Sequence, residues 1–172
     1  MASLVLNGNT SGSVTISSPA VSGTTTLTLP ATTGTVMVNG PAFSAYQSSA
    51  QTPSANTNTK LQFQTEEFDT NSNFDNATNY RFTPTVAGYY YVNGALAVSS
   101  IACTMSTYIY KNGSMFKSGM QVPTSGIASV GALIYFNGST DYVEMYASIS
   151  VSQALNANLQ YTYFQASMVR SA

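Results

Sequence analysis

The sequence contains no histidine and very little charge. Of its 172 residues, five are Lys or Arg and six are Asp or Glu, so the formal net charge is −1. Without histidine, the chain lacks the most versatile acid–base and metal-binding side chain near neutral pH. Five cations cannot neutralise a row of phosphates, which argues against nucleic-acid binding, and they equally disfavour attachment to an anionic membrane.

Cysteine and long apolar runs are scarce as well. The single cysteine, Cys103, cannot form an intrachain disulfide. No apolar run approaches the roughly 20 residues that cross a bilayer. The start, MASLVLNGNT, has neither the basic region nor the long apolar region of a secretory signal. We therefore expect a protein that is stabilised by packing, without a cofactor and without membrane insertion.

The residues that are abundant favour β-structure. Thr, Val and Tyr are frequent, and the runs VGALIYF, DYVEMYASISV and LQYTYFQASMV follow one another at strand-like spacing. The pairs Asn93-Gly94, Asn112-Gly113 and Asn137-Gly138 separate such runs and predict tight turns with positive φ. No stretch has a convincing amphipathic helical period. The pattern predicts an all-β sandwich or jelly roll.

Residues 1–40 differ from residues 41–172. The first segment has no charged residue, the first charge in the chain being Lys60. Short β-like stretches such as SLVLNG, GSVTISSPA, GTTTLTLP and TVMVNG are broken by Gly, Pro and Asn-Gly. A segment of this kind buries too little apolar surface to fold alone. We predict an extended, β-rich stalk or docking segment over residues 1–40 and a compact domain over residues 41–172.

The most patterned stretch is FDTNSNFDNATNYRFTPTVAGYYYVNG, residues 68–94. In a strand that follows Gly88, Tyr90 and Val92 point to one side, and Tyr89 and Tyr91 point to the other. Bulky rings on both sides suit a strand that lies between its own core and a neighbouring subunit. A monomer would leave some of those rings as an exposed apolar patch.

Residues 42–172 resemble the head domain of the C1q/TNF family. PAFSA resembles the first strand of that family, YKNG its hairpin, NGSTDYVEM the stretch before the penultimate strands, and YFQASMV the closing strand. The resemblance implies a ten-stranded jelly roll that assembles as a homotrimer. One spacing is a residue longer than the family pattern, and Val92 replaces an aromatic residue. The residues matched to the core and trimer-forming motif are Phe63, Asp69, Phe74, Phe82, Gly88, Tyr90 and Val92.

Residues 1–40 are similar to low-complexity segments of bacteriophage fibre and virion-surface proteins. The similarity lies in a charge-poor, threonine-rich composition, as in GSVTISSPAVSGTTTLTLPATTGTV. It implies that this segment docks the protein on a virus particle. The apolar side chains expected to dock are Leu4, Leu6, Val14, Ile16, Leu27 and Leu29.

Candidate chemical sites are few. The acidic cluster Glu66, Glu67, Asp69 and Asp75 offers hard oxygen ligands for calcium, but its spacing favours a solvated acidic loop and we predict no metal site. Asp141 and Glu144 lie three apart on a predicted strand, so they are a poor acid–base pair. Without histidine, Cys103 has no usual base and is expected in a strand as a small apolar residue. We predict no enzymatic activity.

These observations predict a non-enzymatic, homotrimeric structural protein on the surface of a bacteriophage virion, made in the host cytoplasm. The preferred role is capsid decoration, as a cement protein or head fibre that binds coat protein, because little shaft precedes the head. One alternative is the receptor-binding tip of a tail fibre, which would contact a host-surface glycan or protein. Another is a stand-alone C1q-like lectin. The sequence leaves the choice between capsid and tail open.

Overall fold

The computed structural model describes residues 3–17, 21, 23–24, 26, 40–98, 102–123 and 126–172. Over these residues the protein contains thirteen strands and no helix, so none of the described segments is a helix that could span a membrane. The chain divides into two compact units, Met1–Gly34 and Thr35–Ala172. The predicted domain boundary after residue 40 stays a prediction.

The first unit contains an antiparallel hairpin. Strand β1 (Ser3–Asn7) pairs with β2 (Ser13–Ser17). The Gly8 N–H donates to the Gly12 carbonyl at 2.9 Å, and Gly12 has a φ of 78°, which only glycine adopts without strain. The two strands lie in SLVLNG and GSVTISSPA, two of the stretches that were predicted to be β-like. Most residues of the other predicted β-stretches of this segment, GTTTLTLP and TVMVNG, lie outside the described residues.

The second unit is a sandwich of two antiparallel sheets. Over the described residues of this unit, eleven strands are present where the resemblance implies ten, and three of them have two residues each. Their bounds are β3 Ala42–Tyr46, β4 Thr59–Lys60, β5 Thr65–Asp69, β6 Phe74–Asp75, β7 Arg81–Phe82, β8 Gly88–Ala97, β9 Met105–Lys111, β10 Ser114–Val122, β11 Ile127–Phe136, β12 Val143–Ile149 and β13 Tyr163–Ser171. One sheet has the strand order β10-β9-β12-β7-β6, with β4 also paired to β12, and the other has the order β11-β8-β13-β3-β5.

A cluster of aromatic rings fills the space between the two sheets. The Phe43 ring stacks on Phe74 and Phe82 with centroids 4.5 Å and 4.6 Å apart, and Phe164 meets it edge-on at 5.2 Å. These rings come from strands of both sheets, so each sheet contributes one side of the core. Pairs of this geometry add to the stabilisation that comes from burying their area.

Of the three Asn-Gly pairs, one is a hairpin turn of the predicted kind. Asn112 and Gly113, with φ of 52° and 79°, join β9 to β10. Asn137-Gly138 follows β11, and Gly138 has a φ of 72°. The prediction for Asn93-Gly94 is wrong, because both residues lie inside β8. There a Cβ on Gly94 would lie 2.4 Å from the Met145 sulfur, so the glycine serves close packing and not a turn.

Candidate functional site: an exposed aromatic sheet face

Most residues of the matched motif lie between the sheets. The buried members are Phe63, Phe74, Phe82, Gly88, Tyr90 and Val92. A Cβ on Gly88 would lie 2.4 Å from the Arg170 carbonyl oxygen, so β8 and β13 approach closely at this point. The Tyr90 hydroxyl donates to the Val86 carbonyl at 2.8 Å, and burial raises the pKa of Tyr90 to about 12. The role of these residues in forming a trimer stays a prediction.

Asp69, the acidic member of the motif, lies at the end of β5 and not in the core. Its carboxylate accepts hydrogen bonds from the N–H groups of Asn71 at 3.2 Å and Phe74 at 2.7 Å. An aspartate that binds backbone N–H groups a few residues ahead stabilises a turn. Asp69 therefore shapes the connection between β5 and β6.

Strand β8 exposes large side chains on the side of its sheet that points away from the core. Tyr89 and Tyr91 are exposed, whereas Tyr90 between them is buried. Their pairing partners on β11, Tyr135 and Leu133, are exposed as well, and the four side chains are between 42% and 58% exposed. The Tyr89 and Tyr135 ring centroids lie 5.4 Å apart. We call this surface, made of Tyr89, Tyr91, Leu133 and Tyr135, the aromatic face.

A continuous group of exposed rings and aliphatic side chains is typical of a site that another molecule covers. The sequence pattern predicted that Tyr89 and Tyr91 share a face. It missed Leu133 and Tyr135, although the alternation in VGALIYF places both on the side of β11 opposite to the buried Ile134. Which of the two sides of β11 is open could not be read from that run alone.

The acidic cluster does not form a common site. The Glu67 carboxylate accepts a hydrogen bond from the Ser44 hydroxyl at 2.6 Å, and the Asp69 carboxylate binds its own turn. Burial, and then the charge of Asp69, raise the pKa of Glu66. Among the described residues, no group of three or more Cys, Asp or Glu side chains could hold a metal ion.

The carboxylate of Asp75, the last member of the cluster, is hydrogen-bonded to the backbone of a turn. Its carboxylate accepts hydrogen bonds from the N–H groups of Ala77, Thr78 and Asn79, at 3.1, 2.8 and 3.1 Å, and from the Asn79 side chain. These bonds, that of Thr78 above all, lower the pKa of Asp75 to about 2. The group therefore stabilises the turn after β6.

Asp141 and Glu144 form separate ion pairs. Asp141 lies in the loop before β12, not on the strand as predicted, and binds Lys111 at 3.0 Å. Hydrogen bonds, first from Asn112 and then from Lys111, lower its pKa. Glu144 is on the strand, is 5% exposed and binds Lys60 at 3.1 Å. Each carboxylate neutralises a lysine, so the two do not act together.

Cys103 is buried but lies before β9, which begins at Met105, so its predicted placement in a strand is wrong. The Gln153 Nε2 lies within hydrogen-bonding distance of its sulfur, at 3.1 Å. The residue has the small, buried character expected of it.

The predicted docking residues of the hairpin share one side. Leu4 is opposite Ile16, and Leu6 is opposite Val14, so the four form an apolar quartet. Each of the four is between 52% and 64% exposed. Leu27 and Leu29, the other two predicted docking residues, lie outside the described residues. We call Leu4, Leu6, Val14 and Ile16 the hairpin quartet.

Comparison of the coordinates with solved structures identifies the fold of the larger unit. Murine APRIL superposes with a TM-score of 0.60 at 8% identity, over 76% of this chain and 100% of that chain. The second unit is a C1q/TNF-like jelly roll. The globular domain of zebrafish complement 1qA gives a TM-score of 0.58 at 20% identity, over 77% and 99% of the two chains. Eiger TNF from S. frugiperda gives 0.56 at 9%, over 77% and 94%.

The similarity in structure is not accompanied by similarity in sequence. No protein-family model matches the chain, and no curated protein matches it either. At these identities the structural similarity establishes only the fold, because one fold serves many functions. The function therefore has to be argued from the surfaces of this chain.

Proposed function

We propose that this chain is a homotrimeric, non-enzymatic structural protein of a bacteriophage virion. In this proposal it decorates the capsid, as a cement protein or head fibre. The observation that carries the proposed homotrimer is the aromatic face. Four large side chains are exposed on one sheet of a jelly roll, and none of the four is charged.

Self-association would cover this surface. Burying the aromatic face against another copy would be stabilising, because its four side chains, Tyr89, Tyr91, Leu133 and Tyr135, would be removed from water. In a closed ring of three copies each copy buries the patch once, and no unpaired patch remains for further addition. The low charge of the chain supports this arrangement, because three like copies meet with little electrostatic repulsion.

The hairpin quartet supports docking on a particle. A two-stranded hairpin is marginally stable alone, and here its apolar side chains are all exposed. Coat protein that covers the quartet would supply the missing apolar contacts. The similarity of residues 1–40 to phage virion segments supports the choice of a coat protein as the partner. In this proposal the protein acts mechanically, and many copies on one particle strengthen a weak individual contact.

The candidate chemistry is consistent with a structural role. Three carboxylates of the acidic cluster, those of Glu67, Asp69 and Asp75, bind backbone or hydroxyl groups, and the two acids outside the cluster bind lysines. Cys103 is buried. The groups that sequence analysis singled out for chemistry therefore stabilise loops and strands of this fold.

The proposal is tested by imaging intact particles of the source virus with gold-labelled antibody against the head. Label over the icosahedral shell is the expected result. Label confined to the tail would replace decoration with a tail-fibre tip that contacts a host-surface glycan or protein. Unlabelled particles would overturn the virion proposal and leave a free C1q-like recognition module.

A further inference from the structure

A recess of about 420 Å³ opens on the same side of the sheet as the aromatic face. Gly131 lies in the middle of β11, directly opposite Asn93 on β8. A Cβ on Gly131 would lie 2.8 Å from the Tyr91 hydroxyl, so the absence of a side chain here lets the tip of the Tyr91 ring lie over β11 in the wall of the recess. Its lining includes Tyr91, Asn93, Ser129, Gly131, Tyr163 and Gln165.

The floor of the recess carries two amides. Gln165 on β13 is paired with Asn93 on one side and with Ser44 on the other. The Gln165 Nε2 donates to the Ser44 hydroxyl at 2.9 Å, and that hydroxyl donates to Glu67 at 2.6 Å. Gln165 is thus held in place by its neighbours. The Asn93 side-chain amide makes no hydrogen bond to any other described residue.

A neutral, polar recess beside exposed rings constrains whatever covers it. The lining contains no charged side chain, so it offers nothing to attract an ionic ligand. Covering the Asn93 amide without giving it a hydrogen bond would be unfavourable. A polar group in an otherwise apolar interface therefore favours the docking geometry in which that group forms a hydrogen bond.

We propose that the recess receives a side chain of a second copy of this chain, and that the amides of Asn93 and Gln165 fix how the copies meet. This inference rests on the proposed homotrimer and specifies its register, that is, how neighbouring copies are aligned against each other. The same sheet face carries projecting rings, at Tyr89 and Tyr135, and a receiving recess. In a ring of identical copies each contact joins a projecting surface of one copy to a receiving surface of the next, and this sheet face supplies a surface of each kind.

The test fills the recess with Gly131→Val. Gly131 is exposed and its φ is not in the left-handed region, so the backbone accepts valine, while the Tyr91 hydroxyl, 2.8 Å from the Cβ position, has to move aside. Ser118→Val is the matched control, since it adds a β-branched side chain to an exposed strand position of the other sheet. Sedimentation equilibrium and native mass spectrometry measure the trimer, and far-ultraviolet circular dichroism checks the fold.

We expect Gly131→Val to weaken the trimer at least about tenfold and Ser118→Val to leave it unchanged. A folded Gly131→Val protein that trimerises as tightly as the wild type would overturn the inference and leave the homotrimer intact. A monomeric wild type would overturn both. If Gly131→Val keeps the trimer but abolishes binding of a neutral oligosaccharide probe, the recess is a ligand site and the inference is wrong.

Asn93→Leu provides a second test that does not depend on filling the recess. The substitution keeps a side chain of similar size and removes the amide, so association should persist but lose its single register. We expect several oligomer masses, or several sets of methyl resonances, in place of one. A single trimer with one set of resonances, as tight as the wild type, would show that the amide does not specify the register.

Discussion

Carboxylates that bind backbone N–H groups organise the loops of this protein. Asp75 is the clearest case, because it accepts three backbone hydrogen bonds and its pKa is about 2 instead of 3.8. A lowered pKa in the folded state means that the charged form stabilises the fold. This contribution is complete above the ordinary pKa of aspartate and is lost as the pH falls through the folded pKa.

We therefore expect Asp75→Ala to lower the free energy of unfolding by about 1 kcal/mol near neutral pH, since three N–H groups lose their acceptor. The difference between wild type and variant should shrink as the pH falls from about 4 to about 2. Urea unfolding at a series of pH values measures it. A difference that stays constant down to pH of about 2 would contradict this role.

The Lys60–Glu144 pair predicts an asymmetric response to substitution. Lys60→Met removes the cation 3.1 Å from a carboxylate that is almost fully buried. We expect a loss of about 2 kcal/mol, less than for a fully buried pair because Lys60 reaches solvent. The double variant Lys60→Met, Glu144→Met should recover most of that loss, because no unpaired charge remains. Urea unfolding at equal protein concentration measures both, and equal losses would argue against the pair.

At the residue scale, sequence reasoning predicted the core better than the polar contacts. Alternation in GYYYVNG separates the buried Tyr90 and Val92 from the exposed Tyr89 and Tyr91. Nothing in the sequence reveals that Lys60 meets Glu144, which is 84 positions away, or that Ser44 meets Gln165. These contacts follow from the order of strands in the sheets, and that order is set by the whole chain.

Among the elements, β10 lies close against β11 of the other sheet at one glycine. A Cβ on Gly119 would lie 2.2 Å from the Ser129 carbonyl oxygen and 2.5 Å from the Thr107 hydroxyl. Gly119→Val therefore forces the two strands apart, and we expect a loss of about 2 kcal/mol. Ser118→Val, at the exposed neighbouring position, should change stability by less than about 0.5 kcal/mol. Thermal unfolding compares them, and equal melting temperatures would show that the two strands separate freely.

We expect the N-terminal hairpin to contribute to docking and not to the stability of the head. Replacing Leu6 and Ile16 of the hairpin quartet by serine removes exposed apolar surface. We expect weaker cosedimentation with capsids that lack this protein, while the thermal unfolding of the head stays unchanged. Val5→Thr, on the other side of β1, is the control and should bind as the wild type does. Undiminished binding by the serine variant would exclude the quartet as the docking surface.

At the element scale, local signals succeeded where the turn residues alone set the geometry. Asn112-Gly113 connects β9 to β10 because both residues adopt positive φ. The same dipeptide at Asn93-Gly94 lies inside β8. There the glycine is needed because Met145 and the Tyr163 carbonyl leave no room for a side chain. The sequence does not distinguish these two uses of glycine, because the second depends on distant neighbours.

For the whole molecule, the sequence predicts the fold of the second unit more directly than the way in which copies of the chain would meet. The all-β composition and the strand spacing predict a sandwich or jelly roll, and the resemblance of residues 42–172 to C1q/TNF heads implies the jelly roll that is observed. The recess at Gly131 was not predicted, because it requires the register that places Gly131 opposite Asn93. In the proposed trimer, the way in which copies of the chain meet depends on that register as well.

The central claim is that copies of this chain associate in threes through the aromatic face. Sedimentation equilibrium of the full chain at micromolar concentration tests it most directly, together with Leu133→Glu and, as a matched control, Met120→Glu on the exposed strand of the other sheet. We predict a mass of about three times 18.1 kDa for the wild type and for the control, and we predict that Leu133→Glu dissociates the trimer. The mass of the wild type should be the same in low and in high salt, because the aromatic face is uncharged. A wild-type mass of a single chain, or a trimer that Leu133→Glu leaves intact, would contradict the claim.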